Sequence, residues 1–460
     1  MESSKLDLTT ALAASGQPAQ VIPNSATEGS RPVRRREFLA VASAGAAAAS
    51  PLAALAAESS PFPNGFLWGA ATAAHQVEGN NINSDFWVLE HLQPTVFAEP
   101  SGDACDHYHR YVDDIKMLAG LGFNTYRFSI EWARIEPEQG FFSNAELDHY
   151  RRMLATCHES KVQPMVTFSH FSSPRWFAGM GGWESDGSVD LFARYAERAA
   201  EHLGDLISYA TTFNEPNVPM LLTWMNFDIQ AGSMVERAAR AVGSDRFGTF
   251  FLAAREKLRD HMIAAHHRGL AAMKSGPGKY PVGVNIAMTE DQAVGPDSGR
   301  DRKREEVYGA WLHAASASDF VGVQTYTRAR VGKSKDLPPE PGVELTQVGR
   351  EFWPEALGET IRYAAAQARV PVYVTENGIA TEDDSRRIEY IRRALSAVRK
   401  CLADKIDVRG YIHWTLMDNF EWMFGFRPKF GLMAVNRSTQ ERLPKPSARY
   451  LGNIARRNGA

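Results

Sequence analysis

Short apolar runs alternate with longer amphipathic stretches along most of this chain. The apolar runs are rich in β-branched and aromatic residues, a composition typical of buried strands. We predict eight strands, at residues 66–68, 124–130, 163–170, 210–215, 280–287, 319–326, 371–377 and 408–416. Each is too short to cross a membrane, so the pattern indicates the core of a globular domain.

Between the strands, hydrophobic positions recur with helical spacing. We predict helices at residues 108–121, 144–160, 189–203, 247–274 and 384–401. Asn144 and Asp384 stand where two of these helices open, since short polar side chains favour helix starts. Strands that alternate with helices form a parallel sheet covered on both faces. Eight such units predict one (β/α)8 TIM barrel, which we assign to residues 58–460.

The first 57 residues have a different composition. Three arginines at positions 34–36 are followed by Phe38 and Leu39, then by an Ala-rich apolar run that ends near Ala56. A charged segment, an apolar segment and small residues are the parts of an export signal. The paired arginines resemble the twin-arginine motif. We therefore expect a cleaved signal and an exported protein, periplasmic or secreted; the alternative is a disordered tail with a chance arginine cluster.

Composition excludes several kinds of function. Lys and Arg number 51 against 54 Asp and Glu, a net charge of −3, so no basic field indicates nucleic-acid binding. Cys105, Cys157 and Cys401 are far apart and odd in number, which argues against a disulfide framework. No run of 18 apolar residues occurs after the signal, so we expect no stable membrane insertion once it is removed. The oligomeric state stays open.

Barrel enzymes build their active sites at the carboxyl ends of the strands. In this sequence every predicted strand ends in, or is closely followed by, polar or aromatic residues. These residues are Gln76, Arg127, His170, Asn214, Glu215, Asn285, Tyr326, Glu376, Trp414, Glu421 and Trp422. Amide, imidazole and carboxyl groups suit the hydroxyls of a sugar, and Trp offers an apolar face for its ring. The composition of this rim therefore predicts a small-molecule glycoside or oligosaccharide as the ligand.

Other chemistries lack their motifs. The chain has neither GxGxxG after a strand nor a GxxxxGK[ST] phosphate loop. It has no GxSxG elbow for a serine nucleophile and no HExxH pair for zinc. We therefore predict no metal and no cofactor.

Two carboxylates remain as a reacting pair. Glu215 lies in the sequence Asn214-Glu215-Pro216 at the end of strand four, and Glu376 lies in Thr375-Glu376-Asn377-Gly378 at the end of strand seven. These strands are on opposite sides of a barrel mouth. Retaining glycosidases hold two carboxyl groups about 5–5.5 Å apart, one as nucleophile and one as acid and base.

These two motifs resemble the catalytic signatures of glycoside hydrolase family 1, the β-glucosidase family. The segment 66–78, with Phe66-Leu67-Trp68-Gly69, resembles its opening signature, and the segment 414–430 its closing one. The resemblance covers nearly all of the chain after the signal. It implies a (β/α)8 barrel and a retaining exo-β-glycosidase, with β-D-glucosides as the leading substrates.

The resemblance also implies residue roles. Glu376 would be the nucleophile and Glu215 the acid/base, with Asn214 at the sugar 2-hydroxyl and Arg127 and Tyr326 beside the nucleophile. The remaining sugar-facing set is predicted to be Gln76, His170, Asn285, Trp353, Trp414, Glu421, Trp422 and Phe430. A carboxylate at Glu421 repels phosphate, which favours an unphosphorylated sugar.

Some positions depart from the family pattern. Gln324 and Phe171 replace the usual Asn and Trp, and Arg350 stands where many relatives carry a Trp that stacks on the aglycone. The loop 217–232 lacks the usual Gly and Pro positions. The natural substrate, its aglycone and the choice between glucoside, galactoside and fucoside therefore stay open. Two alternatives are a transglycosidase, suggested by the altered loop, and a noncatalytic sugar-binding barrel.

Overall fold

The computed structural model describes residues 61–225, 233–251 and 255–459. The predicted export signal, residues 1–57, lies outside them. Eight parallel strands, β1 to β8, form the core of the described part. Their bounds are Leu67–Ala71, Thr125–Ser129, Gln163–Ser169, Tyr209–Phe213, Val282–Ala293, Phe320–Val331, Val372–Asn377 and Val408–Trp414.

The strands close into a barrel. Each strand pairs in parallel with its neighbour in the sequence, and β8 pairs back onto β1 through Leu67 and Gly410. Two minor features are a short strand, Asp336–Leu337, antiparallel to β6, and a two-stranded ribbon of Met433–Asn436 and Glu441–Pro444. The prediction of a (β/α)8 barrel is confirmed. All eight strands therefore point their carboxyl ends to one rim.

Helices cover the outside of the barrel. The α-helices are Ala74–Val77, Asp85–Glu90, His107–Leu121, Trp132–Ile135, Asn144–Glu159, Arg175–Gly179, Ser188–Leu203, Val218–Trp224, Met234–Ala241, Arg255–Ser275, Arg300–Arg304, Ala310–Ala315, Ala356–Ala368, Asp384–Ala403 and Pro446–Arg456. Asn144 and Asp384 are the first helical residues, as predicted. The caps themselves are one residue earlier, where Ser143 and Asp383 accept backbone hydrogen bonds.

One helix start was predicted wrongly. Residues 247–251 are not helical. Phe250 instead stacks on Phe171 with ring centroids 4.8 Å apart, beside the cavity described below. The prediction failed because the apolar residues of this segment, which pack beside the cavity, have the same composition as the first turn of a helix.

Two kinds of strand boundary also differ from prediction. β1 continues through Gly69, where the chain passes so close to β2 that an added Cβ would lie 2.4 Å from the carbonyl oxygen of Thr125. Because Gly and Ala have low strand propensity, the sequence contains no signal that β1 continues to Ala71. β5 and β6 run on to Ala293 and Val331 and pair with each other beyond the closed barrel. Their half-buried polar residues carry no apolar signal.

Side chains fill the barrel interior. Leu67, Met165, Phe320, Tyr373 and Ile412 are buried together inside it. A filled interior leaves room for a ligand only above the carboxyl ends of the strands. The helix layer outside packs on a separate and larger core that includes Trp132 and Phe192.

Candidate active site

A cavity of about 280 Å³ opens at the carboxyl ends of the strands. It is lined by most of the predicted site residues, namely His170, Asn214, Glu215, Tyr326, Glu376, Trp414, Glu421, Trp422 and Phe430. Arg127 and Gln76 are fully buried and bonded to residues of this lining. The fold thus brings together side chains that are up to 354 positions apart in the case of Gln76 and Phe430.

Glu376, the last residue but one of β7, is held by two strong donors. Arg127 Nη1 lies 2.6 Å from Glu376 Oε1, and the Tyr326 hydroxyl donates to Oε2 at 2.6 Å. Burial raises the pKa of Glu376, and both donors counteract that rise because they favour the carboxylate. Burial of an ion pair is costly unless its geometry is good, and this pair has short bonds and a third partner.

A hydrogen-bonded network spreads from Arg127 across the floor of the cavity. Its Nη2 donates to Asn214 Oδ1 at 2.5 Å, and Gln324 Nε2 donates to the same oxygen at 2.8 Å. Asn214 Nδ2 contacts His170 Nε2 at 3.0 Å. Because Asn214 Oδ1 is occupied by two donors, its amide is fixed with the nitrogen toward His170. Strands β2, β3, β4, β6 and β7 are cross-linked in this way.

Glu215, just after β4, is held differently. Its backbone N–H donates to the carbonyl oxygen of Asn285 at 3.0 Å, which fixes the main chain. Its carboxyl group makes no hydrogen bond to the described residues. Burial raises the pKa of Glu215 well above its usual value, and the neighbouring charge of Glu376 raises it further. Of the two carboxyl groups, Glu376 is therefore the one held as an anion, and Glu215 is the one that keeps its proton.

Glu421 and Gln76 form the polar wall opposite the network. Gln76 Nε2 donates to the carbonyl oxygen of Phe420 at 2.7 Å and approaches Glu421 Oε2 at 3.4 Å. Burial raises the pKa of Glu421 to about 8, against the opposing effect of Arg350. Gln76 Oε1, like His170 Nδ1, is buried without a hydrogen-bond partner among the described residues. Unpartnered buried acceptors and donors of this kind suit the hydroxyls of a ligand.

Aromatic rings complete the inner end of the cavity. Trp414 and Trp422 both stack with the imidazole of His170, with ring centroids 5.7 and 6.1 Å from its centroid. Trp422 also stacks on His75 at 5.7 Å with an interplanar angle of 4°. Phe430 meets Tyr326 edge to face at 5.9 Å. The flat faces provide an apolar surface beside the polar network.

Three residues of the lining have left-handed backbone conformations. The φ angles are 68° at Phe171, 44° at Glu215 and 50° at Trp422. Such conformations are unfavourable for bulky side chains, and they persist only where the surrounding packing imposes them. Their grouping around one cavity indicates a site whose side-chain positions are fixed at a cost in backbone energy.

Besides the buried Gln76, two predicted sugar-facing residues do not line the cavity. Asn285 lies below it, where its Nδ2 donates to Thr211 Oγ1 at 3.0 Å. Trp353 lies beside it, with Nε1 donating to Glu290 Oε2 at 2.8 Å and Arg328 stacked 3.8 Å above its ring. Glu290 belongs to the extension of β5 that the sequence did not predict. This partner turns the indole toward the extension.

The prediction did not include several residues that line the cavity. Gln324 is brought into the network at an irregularity in the β6–β7 pairing, which re-aims side chains. Its position two residues before Tyr326 was an available signal, because alternate strand residues face the same side. The outer end is lined by apolar side chains, including Leu221, Leu222 and Met225, that are indistinguishable from core residues in the sequence.

Within the ranges that the structure describes, no group of three or more His, Cys, Asp or Glu side chains is arranged to hold a metal ion. No helix of those ranges is long and apolar enough to cross a membrane.

Comparison with known proteins places this site in a family. The model of glycosyl hydrolase family 1 matches residues 58–314 and 313–460. Thermostable beta-glucosidase B of Thermobispora bispora is 30% identical over 479 residues, covering 93% of this chain and 96% of that protein. Beta-glucosidase A of Thermotoga maritima is 30% identical over 439 residues, covering 86% and 98%.

Solved structures agree with these relatives. The crystal structure of a beta-glycosidase named BGL167 has a TM-score of 0.83 and 52% identity, and the match covers 86% of this chain and 97% of that one. A family 1 beta-glucosidase from Thermotoga maritima has a TM-score of 0.77 at 26% identity, covering 87% and 99%. The closed barrel with paired glutamates defines the class as a retaining β-glycoside hydrolase. The chain belongs to glycosyl hydrolase family 1, and its activity is of the β-glucosidase type.

Proposed function

We propose that the protein is an exported exo-β-glucosidase that removes an unphosphorylated terminal glucose, with Glu376 as nucleophile and Glu215 as acid/base. One observation carries the assignment of roles. Glu376 is bonded to Arg127 and Tyr326, whereas Glu215 lines the same cavity without such donors. The first is therefore suited to attack as an anion and the second to donate a proton.

The reaction has two steps. In the first, a Glu376 oxygen forms a bond to the anomeric carbon while the bond from that carbon to the aglycone oxygen breaks. The aglycone oxygen receives the proton of Glu215. In the second, Glu215 accepts a proton from water, and the water oxygen displaces Glu376, so the β configuration is retained. When the Glu376 carboxylate is released, hydrogen bonds from Arg127 and Tyr326 stabilise its negative charge again.

The glycone assignment depends on the inner end of the cavity. Asn214 presents Nδ2 beside His170, a suitable donor for a hydroxyl next to the anomeric carbon. Glu421, held at the far side by Gln76, suits the hydroxyls of C4 and C6. A phosphate at C6 would find no cation in this carboxyl group, and the ionised form of the carboxyl group would repel it.

Replacing the nucleophile tests the proposed roles. The variant Glu376→Gly should lose turnover of nitrophenyl β-D-glucoside, and azide should restore it by forming the α-glucosyl azide in the space of the lost carboxylate. Glu382→Gly is a matched control, because Glu382 is exposed in the loop after the same strand. Unchanged hydrolysis by Glu376→Gly, or rescue that gives the β-azide, would refute the assignment.

Export is proposed on the sequence of the first 57 residues, in which Arg35 and Arg36 precede an apolar run. Replacing both by Lys keeps the charge and removes the guanidinium pair. The double variant should stay in the cytoplasm, while Arg34→Lys should be exported normally. Continued export of the double variant would contradict a twin-arginine route.

A further inference from the structure

The outer end of the cavity contains an arginine that forms no ion pair with the described residues. Arg350 lines the cavity, and it is the only Lys or Arg among the described residues that do so. No carboxylate of the described residues lies within ion-pair distance of its guanidinium group, and no side-chain hydrogen bond to them is formed. Its Cζ lies 5.4 Å from the centroid of the Tyr326 ring. The side chain is half-buried.

This situation is unusual within the same cavity. Arg127 lies deeper and is bonded to Glu376 and Asn214. Arg328, which is near but outside the lining, is bonded to Glu351 at 2.6 Å. Water cannot reach every N–H group of a half-buried guanidinium. A ligand that supplies hydrogen-bond acceptors to these groups therefore gains binding energy.

The carboxyl groups of the cavity leave the charge of Arg350 uncompensated. The charge of Glu376 is matched by Arg127. Burial raises the pKa of Glu215 well above its usual value and that of Glu421 to about 8, and Arg350 opposes both rises. Both rises favour the uncharged carboxyl groups, so an anion that enters beside Arg350 meets a cation that has no ion-pair partner among the described residues.

The surroundings of Arg350 also limit the shape of the ligand. Val348 is two residues away, and across the cavity the helix Val218–Trp224 contributes Leu221 and Leu222. Met288 of β5 lines the same space. An occupant of this end therefore touches mainly apolar side chains and one cation. This combination suits a flat or aliphatic group that carries a negative charge at its edge.

We infer that Arg350 binds an anionic group on the aglycone, so that the preferred substrates are β-glucosides of hydrophobic alcohols or phenols that bear a carboxylate. The inference rests on the proposed function, since it assigns the leaving-group end of the same site. It makes Arg350 a specificity determinant: the glycone end fixes which sugar is cleaved, and the guanidinium selects what the sugar is attached to.

Two matched substrates test the inference. They are 4-(carboxymethyl)phenyl β-D-glucoside and 4-(carbamoylmethyl)phenyl β-D-glucoside, which have nearly the same size and leaving group but differ in charge. At low ionic strength the enzyme should prefer the carboxylate by about tenfold in kcat/KM, mainly through KM, the size of one hydrogen bond to a charged group. Added salt should reduce this ratio, because the pair is only half-buried.

Variants identify the residue responsible. Arg350→Gln should bring the ratio close to one, and Arg350→Lys should retain part of it. Arg152→Gln is the control, because it removes one charge from an exposed position on an outer helix and should leave the ratio unchanged. A ratio of one in the unmodified enzyme, or a ratio that survives Arg350→Gln, would overturn the inference alone. If neither these glucosides nor nitrophenyl β-D-glucoside is cleaved, the proposed function fails and takes the inference with it.

Discussion

The two ends of the active-site cavity are built in opposite ways. At the inner end, Arg127, Tyr326 and Glu376 lie on three strands and Asn214 directly follows a fourth, and hydrogen bonds of 2.5–2.6 Å join them. At the outer end, the lining comes mainly from helices and loops and is mostly apolar, and Arg350 is the one Lys or Arg among the described residues that line the cavity.

This difference separates two tasks. Groups that take part in bond breaking must be fixed in position and in charge, which a network anchored on strands provides. Groups that accept the leaving part of the substrate must tolerate variation, and loop side chains change without disturbing the barrel. We therefore expect substitutions at the inner end to change kcat and its pH dependence, and substitutions at the outer end to change KM for particular aglycones.

The largest expected effect is at the nucleophile. Glu376→Gln keeps the shape of the side chain but removes its charge, and kcat on nitrophenyl β-D-glucoside should fall by about four orders of magnitude or more. The melting temperature should fall, because the amide leaves the buried charge of Arg127 without a counter-charge. A loss below tenfold would mean that the inner network does not hold the reacting group.

The acid/base should give the next largest effect. Glu215→Gln should lower kcat/KM about a thousandfold for alkyl glucosides but far less for 2,4-dinitrophenyl glucoside, whose leaving group needs no proton. In the unmodified enzyme, activity should fall as pH rises through the raised pKa of Glu215, because the required form is protonated. This alkaline limb should be absent from the variant. Its persistence would assign the acid to another group.

Tyr326→Phe tests the network without touching a reacting carboxyl group. The hydroxyl stabilises the ionised form of Glu376, so its loss should raise the pKa of that group and move the acid limb of kcat/KM to higher pH. We expect kcat to fall about a hundredfold, as for other single donors at charged reacting groups. An acid limb that does not move would show that the hydroxyl serves packing only.

At the outer end, Leu222→Ala removes apolar surface from the cavity wall. KM for octyl or aryl β-glucosides should rise about threefold, since part of one side chain's buried area is lost. For methyl β-glucoside, whose methyl group does not reach the apolar wall at Leu222, kcat and KM should stay the same. An equal change for both substrates would remove the distinction between the two ends.

Trp353→Phe should have the smallest effect. The indole contacts Glu290 and Arg328 beside the cavity, so kcat and KM should stay within about twofold of the unmodified enzyme. A tenfold increase in KM for glucosides would instead support the sugar-facing role predicted from the sequence.

The same comparison explains how far the sequence alone could reach. The barrel and the positions of Glu215 and Glu376 were predictable, because their motifs end strands and the rim of a parallel barrel gathers strand ends. The orientation of Trp353 was not, because it depends on Glu290 in a strand extension without apolar alternation. The wall at Leu222 was not predictable either, since an apolar residue has the same character in a core and in a cavity. Backbone strain at Trp422 has no sequence signal.

The most direct test of the account is covalent trapping of the glycosyl-enzyme. Incubation with a 2-deoxy-2-fluoro-β-D-glucoside that has an activated leaving group should slow the second step and leave the sugar on the enzyme. Mass spectrometry of proteolytic peptides should then find one labelled residue, Glu376, with the label lost again when an acceptor is added. A label on Glu215 or on any other residue, or a reaction in which no covalent species forms and the first product is the α-anomer, would contradict the account.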